Sequence, residues 1–241
     1  GNYNTAVGTS SLGANTTAAN NTAVGQASLA ANTTGAENTA IGANALDANT
    51  TAQRNTAVGH NNMTATTTGS YNSALGNQVL LVNTVGTENS AVGYRAMDAN
   101  TEGSYNVAMG VNALGGNTTA DNNVAVGFGA MIANTTGDKN TAVGMNSLAA
   151  NTTGTQNTSL GFKSLDANTT ASDNTAIGKS SMGANTTGAS NTAVGMQSLA
   201  ANTTASDNTA VGYDSLLTNT TGAENTSVGS FSMRLNTTGS Y

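Results

Sequence analysis

The chain of 241 residues contains no cysteine, proline or tryptophan, and only 7% of it is charged. Without cysteine there are no disulfides, no thiol nucleophiles and no cysteine-based zinc sites. The chain has six Lys and Arg residues and 12 Asp and Glu residues, so the sequence offers no basic patch to hold nucleic acid. No apolar run approaches the roughly 20 residues of a membrane-spanning helix. The sequence therefore predicts neither a nucleic-acid partner nor a membrane span.

What the sequence has instead is a 17-residue repeat. The motif Asn-Thr-Ala-Val-Gly begins at Asn4, and its equivalents recur at this constant interval up to Asn225, which gives 14 copies without an insertion or deletion. We interpret residues 1–241 as a single repetitive domain. Both ends fall at the same phase of the repeat, and neither carries the atypical capping repeat of a free solenoid. We therefore expect the segment to belong to a longer fibre protein.

Each repeat is numbered here from its first Asn, which is position 1. Position 1 is Asn and position 5 is Gly in all 14 copies, and position 13 is always Thr. Position 3 is Ala in 12 copies, position 9 is Leu or Met in all, and position 12 is Asn in 13. Of the 18 charged residues, 17 lie at positions 6, 7, 10, 16 or 17, and all nine aromatic residues lie at positions 6, 7 or 17. These five positions are predicted to form the solvent face.

This pattern predicts an all-β fold, a parallel β-solenoid of 14 coils in which each 17-residue repeat forms one coil. A helix is disfavoured because the unit holds Asn-Thr-Thr-Gly and has no 3.6-residue apolar spacing. Alternation predicts that positions 2 and 4 face inward, together with positions 9, 11 and 13. Glycine at position 5 suits a turn, and the Asn and Thr columns are predicted to stack as hydrogen-bonded ladders. In the second coil these structural residues are Asn21, Gly25, Leu29, Asn32 and Thr33.

Position 3 alternates with positions 2 and 4 and is therefore expected to point outward, yet it is confined to Ala or Ser. An outward residue that is always small indicates close contact with another chain. The sequence thus predicts a subunit contact through Ala23, Ala40 and Ala57 and their equivalents. The alternative is a tight bend that excludes larger side chains.

The segments Asn21 to Leu29 and Asn191 to Leu199, which read Asn-Thr-Ala-Val-Gly-x-x-Ser-Leu, resemble the head repeats of trimeric autotransporter adhesins. The full unit, with Leu-x-Ala-Asn-Thr-Thr-Gly, is similar to repeats of bacterial and phage tail-fibre-like proteins. The resemblance covers the whole chain. It implies a left-handed β-roll, three chains per fibre and a place at the cell surface. Two features depart from the adhesin pattern: Thr replaces the usual inward Val at position 2, and the coil is longer.

The sequence contains no constellation of catalytic residues and no cofactor or metal motif. His60, the single histidine, occupies a variable surface position, so we interpret it as a solvated loop residue. Asn-Thr-Thr matches the glycosylation sequon in 11 copies, although a repeat that needs Asn and Thr for ladders would match by accident. Four aromatic residues share position 6 and are candidates for surface contact, by stacking on sugars or packing across subunits: Tyr94, Phe128, Phe162 and Tyr213. Scattered exposure is the alternative.

We therefore expect a non-enzymatic segment of an extracellular fibre, at a cell surface or in a phage fibre, that sets length and presents a surface for attachment. Its expected partners are copies of itself, as a homotrimer or an end-to-end filament, and a host surface or glycan. The alternative is an ice-binding solenoid in which positions 12 and 14 form an Asn-x-Thr ladder. A polysaccharide-cleaving β-helix would need an acidic cluster on one face, and the sequence has none.

Overall fold

The computed structural model describes residues 1–240, which divide into two compact units, residues 1–121 (unit 1) and 122–240 (unit 2). Each unit is built from three-residue β-strands, one per 17-residue repeat. The strands of unit 1 are β1 Thr5–Val7, β2 Thr22–Val24, β3 Thr39–Ile41, β4 Thr56–Val58, β5 Ser73–Leu75, β6 Ser90–Val92 and β7 Val107–Met109. Those of unit 2 are β8 Val124–Val126, β9 Thr141–Val143, β10 Thr158–Leu160, β11 Thr175–Ile177, β12 Thr192–Val194, β13 Thr209–Val211 and β14 Thr226–Val228.

Within each unit, every strand pairs in parallel with the strand of the next repeat. The register is the same throughout, so that Ala23 lies opposite Ala40 in unit 1 and Ala193 opposite Ala210 in unit 2. A constant offset of one repeat between paired strands, with one strand per repeat, is the geometry of a parallel β-solenoid. The predicted all-β solenoid with one repeat per coil is confirmed.

The predicted orientation of the strand residues is wrong. In β2–β14 the middle residue, position 3, is buried, whereas positions 2 and 4 are half-buried or exposed. Ala23, Ala40 and Ala57 are 0% exposed within the single chain, so they cannot form the predicted subunit contact. Their size is restricted by the narrow interior of the coil, because the strand backbone lies directly against position 8. The hydroxyl of Ser181, for example, donates to the carbonyl of Ala193 at 3.0 Å.

The interior of each coil is filled chiefly by the Leu or Met at position 9. Leu29 and its equivalents through Leu216 are fully buried, as predicted, but Ala31 and Thr33, at positions 11 and 13, are only half-buried. Leu29 has a φ of 50°, a left-handed conformation that costs a non-glycine residue about 1–2 kcal/mol. Burial of a leucine side chain contributes about 1.5–3 kcal/mol. Burial of the side chain therefore offsets the cost of the left-handed backbone at this turn.

Glycine at position 5 is required by both conformation and space. Gly25 has a φ of 133°, which L side chains rarely adopt. A Cβ atom there would lie 2.5 Å from the carbonyl oxygen of Gly42 in the next coil. A side chain at this position would therefore force adjacent coils apart, which explains why no other residue occurs there.

The Asn residues of position 1 form a buried ladder in each unit, as predicted. The backbone N–H of Asn38 donates to the side-chain oxygen of Asn21 at 2.9 Å, and the same bond joins Asn157 to Asn140 at 2.9 Å. The Asn21 amide group also donates to the carbonyl of Gly35, at position 15 of its own coil, at 2.9 Å. Each of these side chains thus ties one coil to the next and closes its own coil.

Position 12 forms a second buried ladder through side-chain amides. Asn49 donates from Nδ2 to Oδ1 of Asn32 at 2.8 Å, and Asn32 donates to the Gly35 carbonyl at 2.9 Å. That carbonyl therefore accepts from both Asn columns. At position 13 the Thr33 hydroxyl donates to the backbone carbonyl of Thr50 at 3.0 Å, so this predicted ladder runs from side chain to backbone.

Candidate functional site on the strand face

The outward side chains of positions 2 and 4 form a surface that we call the strand face. Position 2 is Thr in ten copies, Ser in two and Val in two, and position 4 is always Val, Ile, Leu or Met. Because the strands pair in one register, each unit presents a row of hydroxyl-bearing residues beside a row of apolar residues. Position 2 and position 4 carry no charged residue in any copy. The strand face is thus a neutral surface of alternating hydroxyl and methyl character.

In unit 2 the hydroxyl row is uninterrupted over six strands, β9–β14, where position 2 is always Thr. Within residues 1–240, the structure gives the hydroxyls of these six threonines no protein hydrogen-bond partner. The threonines of position 13 differ, since Thr186 donates its hydroxyl to the Thr203 carbonyl at 2.9 Å. The hydroxyls of the strand face therefore remain available to a ligand or to water.

In unit 1 the strand face is less regular. Position 2 becomes Ser73, Ser90 and Val107 in β5–β7, and position 4 becomes Leu75 and Met109 in β5 and β7. The shorter serines leave a shallow apolar groove of about 330 Å³ across β4–β7, lined on one side by Val58, Leu75, Val92 and Met109. Unit 1 thus presents a grooved surface where unit 2 presents uniform rows.

The four predicted surface aromatics do lie at the surface, but the structure does not gather them into one patch. Tyr94, Phe128, Phe162 and Tyr213 are 37–54% exposed and come from separate coils. Phe162 lies under the ammonium of Lys163, with Nζ 5.9 Å from the ring centre. Tyr213 packs edge-on against Phe231, with ring centres 5.1 Å apart. Their role in surface contact stays a prediction.

The position 12 asparagines face the interior, which bears on the sequons and on the ice-binding alternative. Asn32, Asn49 and Asn168 are 0% exposed and their amides serve the ladder. An oligosaccharide on one of these fully buried side chains would not fit the packed coil, which favours the interpretation that the sequons match by accident. The Asn-x-Thr ladder proposed for ice binding does not exist as a surface, because its Asn column lies inside the coil.

His60 and the aspartates of position 10 are the titratable residues to consider for acid–base chemistry within residues 1–240. His60 is exposed, with Nδ1 3.5 Å from the amide nitrogen of Asn77. Burial raises the pKa of Asp47 and of Asp166, both at position 10, although backbone hydrogen bonds oppose the shift. Within residues 1–240, His, Asp and Glu nowhere form a group of three that could hold a metal ion. Asp214, at a predicted solvent position, is buried: it is 3% exposed, and its Oδ2 lies 3.5 Å from Nε of Arg234.

Sequence reasoning missed the strand face because it turned positions 2 and 4 inward. Positions 2 and 4 carry no charge and favour β-branched residues, which is equally expected of an inward row, so the sequence held no signal that marked them as exposed. The small size of position 3 led to the wrong orientation. Ala is small there because the coil interior is narrow, not because a partner approaches from outside.

Compared with protein families, with curated proteins and with solved structures, the chain gives no match. No helix within residues 1–240 has the length and apolar character needed to cross a lipid bilayer.

Proposed function

We propose that this chain is a structural segment of an extracellular fibre, in which the solenoid sets length and presents a surface for attachment. The observation that carries the proposal is the unbroken register of the repeat in each unit. Every coil joins the next through the strand pairing and through buried Asn side chains, as between Asn21 and Asn38. Such a unit becomes longer by one coil for each added repeat, and only its surface side chains can contact a partner.

Attachment is supported by the composition of the surface. The exposed Tyr and Phe side chains of position 6 offer rings on which sugars of a host surface or glycan could stack. Assembly into a trimer or a filament, and the left-handed winding, remain predictions from the resemblance to adhesin and tail-fibre repeats. The buried Ala column does not support either form of assembly.

Deletions tested in full-length protein would examine the length-setting role. Removal of residues 140–190 takes out three whole repeats, and the ends that meet keep their phase. We expect this variant to keep a cooperative melt and its β-rich circular dichroism, and to shorten by about 14 Å in small-angle scattering.

The matched control removes residues 141–190, one residue fewer, so that the repeat at the junction has 18 residues instead of 17. A one-residue slip moves inward side chains outward and breaks every ladder at that level. We expect this control to lose stability sharply. Equal stability of the two deletion variants would contradict a solenoid whose function depends on register.

A further inference from the structure

We propose that the strand face of unit 2, formed by positions 2 and 4 of β9–β14, binds the surface of ice. The inference goes beyond the proposed fibre function and does not depend on it. It also differs from an Asn-x-Thr ladder, since the residues concerned are the outward ones of each strand. They are Thr141, Thr158, Thr175, Thr192, Thr209 and Thr226, with Val143, Leu160, Ile177, Val194, Val211 and Val228 beside them.

The first argument is the state of the hydroxyls. Within residues 1–240 the six threonines of this face make no hydrogen bond to the protein through their hydroxyls. Each hydroxyl can donate one hydrogen bond and accept two. An ordered water layer would satisfy all six at once, because it provides donors and acceptors at regular intervals.

The second argument is preorganisation. Thr and Val are β-branched, so their side chains hold one main rotamer and lose little freedom when a ligand binds. Behind them, the strands pair without a shift, as Thr175 with Thr192 and Ile177 with Val194. The buried Asn ladder holds the same coils, with the backbone N–H of Asn191 donating to the side chain of Asn174 at 3.0 Å. The face is therefore arranged before it meets a ligand.

The third argument is the match between the face and a water lattice. Parallel strands repeat at about 4.8 Å, which is close to the oxygen repeat along the basal edge of hexagonal ice. The face carries no charge, so it holds no strongly bound hydration shell that ice would have to displace. Its methyl groups can occupy the hollows of the lattice while the hydroxyls join the water network.

A second copy of this chain is the rival occupant, and the area disfavours it. Six strands of three residues cover roughly 300 Å², less than half of the about 800 Å² that each partner buries in a stable interface. Ice presents hydrogen-bonding groups over its whole surface, so it can pair with the hydroxyl row while it contacts the methyl groups.

The test is thermal hysteresis of the purified full chain, measured with Thr175→Tyr and with Thr187→Tyr. Thr175 lies in the middle of the strand face, whereas Thr187 is an exposed threonine at position 14 of the same repeat. We expect the wild-type chain to show hysteresis, Thr175→Tyr to lose most of it, and Thr187→Tyr to keep it. Absence of hysteresis and of recrystallisation inhibition in the wild-type chain overturns the proposal, as does equal activity of the two variants.

Light scattering and circular dichroism complete the experiment. If Thr175→Tyr does not fold, Thr192→Lys replaces it, since a long flexible side chain can extend into solvent. If the wild-type chain forms a dimer that these variants dissociate, and ice is not bound, the strand face is a self-association surface and the proposal fails.

Discussion

The coils of unit 1 that begin at residues 55, 72, 89 and 106, here coils 4–7, share the backbone register of unit 2, but different side chains fill their interior. Position 8 is Ser in six of the seven copies of unit 2, where five of the hydroxyls donate to strand carbonyls of the next coil at 2.8–3.0 Å. In coils 4–7 it is Asn62, Val79, Ala96 and Ala113, all buried. The strand pairing is the same in both regions. The coil therefore tolerates exchange of its filling groups as long as positions 1 and 5 are kept.

Position 12 shows what an exchange does locally. In unit 1, Thr66 replaces Asn and cannot donate an amide proton to the coil before it. As a result, Oδ1 of Asn49 and Oγ1 of Thr66 are both buried without a hydrogen-bond partner. In unit 2 the corresponding oxygen of Asn151 accepts from Asn168 at 2.9 Å. The fold survives this defect because the other columns continue through it.

The largest expected effect is at position 5, which neither region varies. Gly195→Ala places a Cβ atom 2.4 Å from the Gly212 carbonyl at a φ of 133°. We expect a loss of about 3 kcal/mol or more, from backbone strain and separation of coils. Thermal melts of this variant would be compared with those of Gly183→Ala, whose Cβ would meet nothing closer than 3.4 Å. If both variants lose a similar amount of stability, the close approach of the next coil is not the reason that position 5 is always glycine.

The change in stability on exchange of Asn and Thr at position 12 is expected to be smaller, and its sign should differ between the two directions of exchange. Asn168→Thr removes the bonds to Asn151 and to the Ala171 carbonyl, at 2.9 and 3.0 Å. The Ala171 carbonyl still accepts from Asn157 at 2.9 Å, so Oδ1 of Asn151 is the acceptor left without a donor. A loss of at least about 1–3 kcal/mol follows, which is the cost of this one unsatisfied oxygen before the new Thr hydroxyl is counted. The defect of coil 4 would thereby be copied into unit 2.

The reverse variant, Thr66→Asn, supplies an amide donor to Asn49. It should stabilise unit 1 by about 1–2 kcal/mol, which corresponds to a rise in Tm of about 2–8 °C if the chain melts cooperatively. Calorimetry of the two variants provides the check. If Thr66→Asn lowers Tm, the ladder is not limited by the missing donor, and steric fit at this position determines the outcome.

The sequence was sufficient to predict the period, the β-solenoid and the two Asn ladders, because these follow from repetition and hydrogen-bonding capacity alone. It was not sufficient to place Ala23 inside or Thr22 outside. Alternation along a strand defines two faces but does not say which one meets the core. That choice depends on the left-handed residues at positions 7 and 9, such as Ala27 and Leu29, which turn the chain so that position 8 lies against the strand. Local propensity does not predict a left-handed leucine.

The smallest expected effect is a dependence of stability on pH, and it involves one aspartate in each unit. Burial raises the pKa of Asp47 above its value in the unfolded chain, 3.8, and it does the same for Asp166, where Lys163 opposes the shift. The folded state therefore binds the proton more tightly than the unfolded state. Stability should increase as the pH falls through the folded pKa toward 3.8, and should not increase further below it.

Asp47→Asn removes the ionisable group and should raise Tm at pH 7 by no more than about 2 °C, with the difference vanishing toward acid pH. The same change at Asp166 should also raise Tm, by an amount that the Lys163 charge reduces. Melting curves between pH 7 and 4 would measure both, with Asp207→Asn as an exposed control. No rise in Tm at pH 7 for either variant would mean that burial of these two carboxylates does not destabilise the folded state.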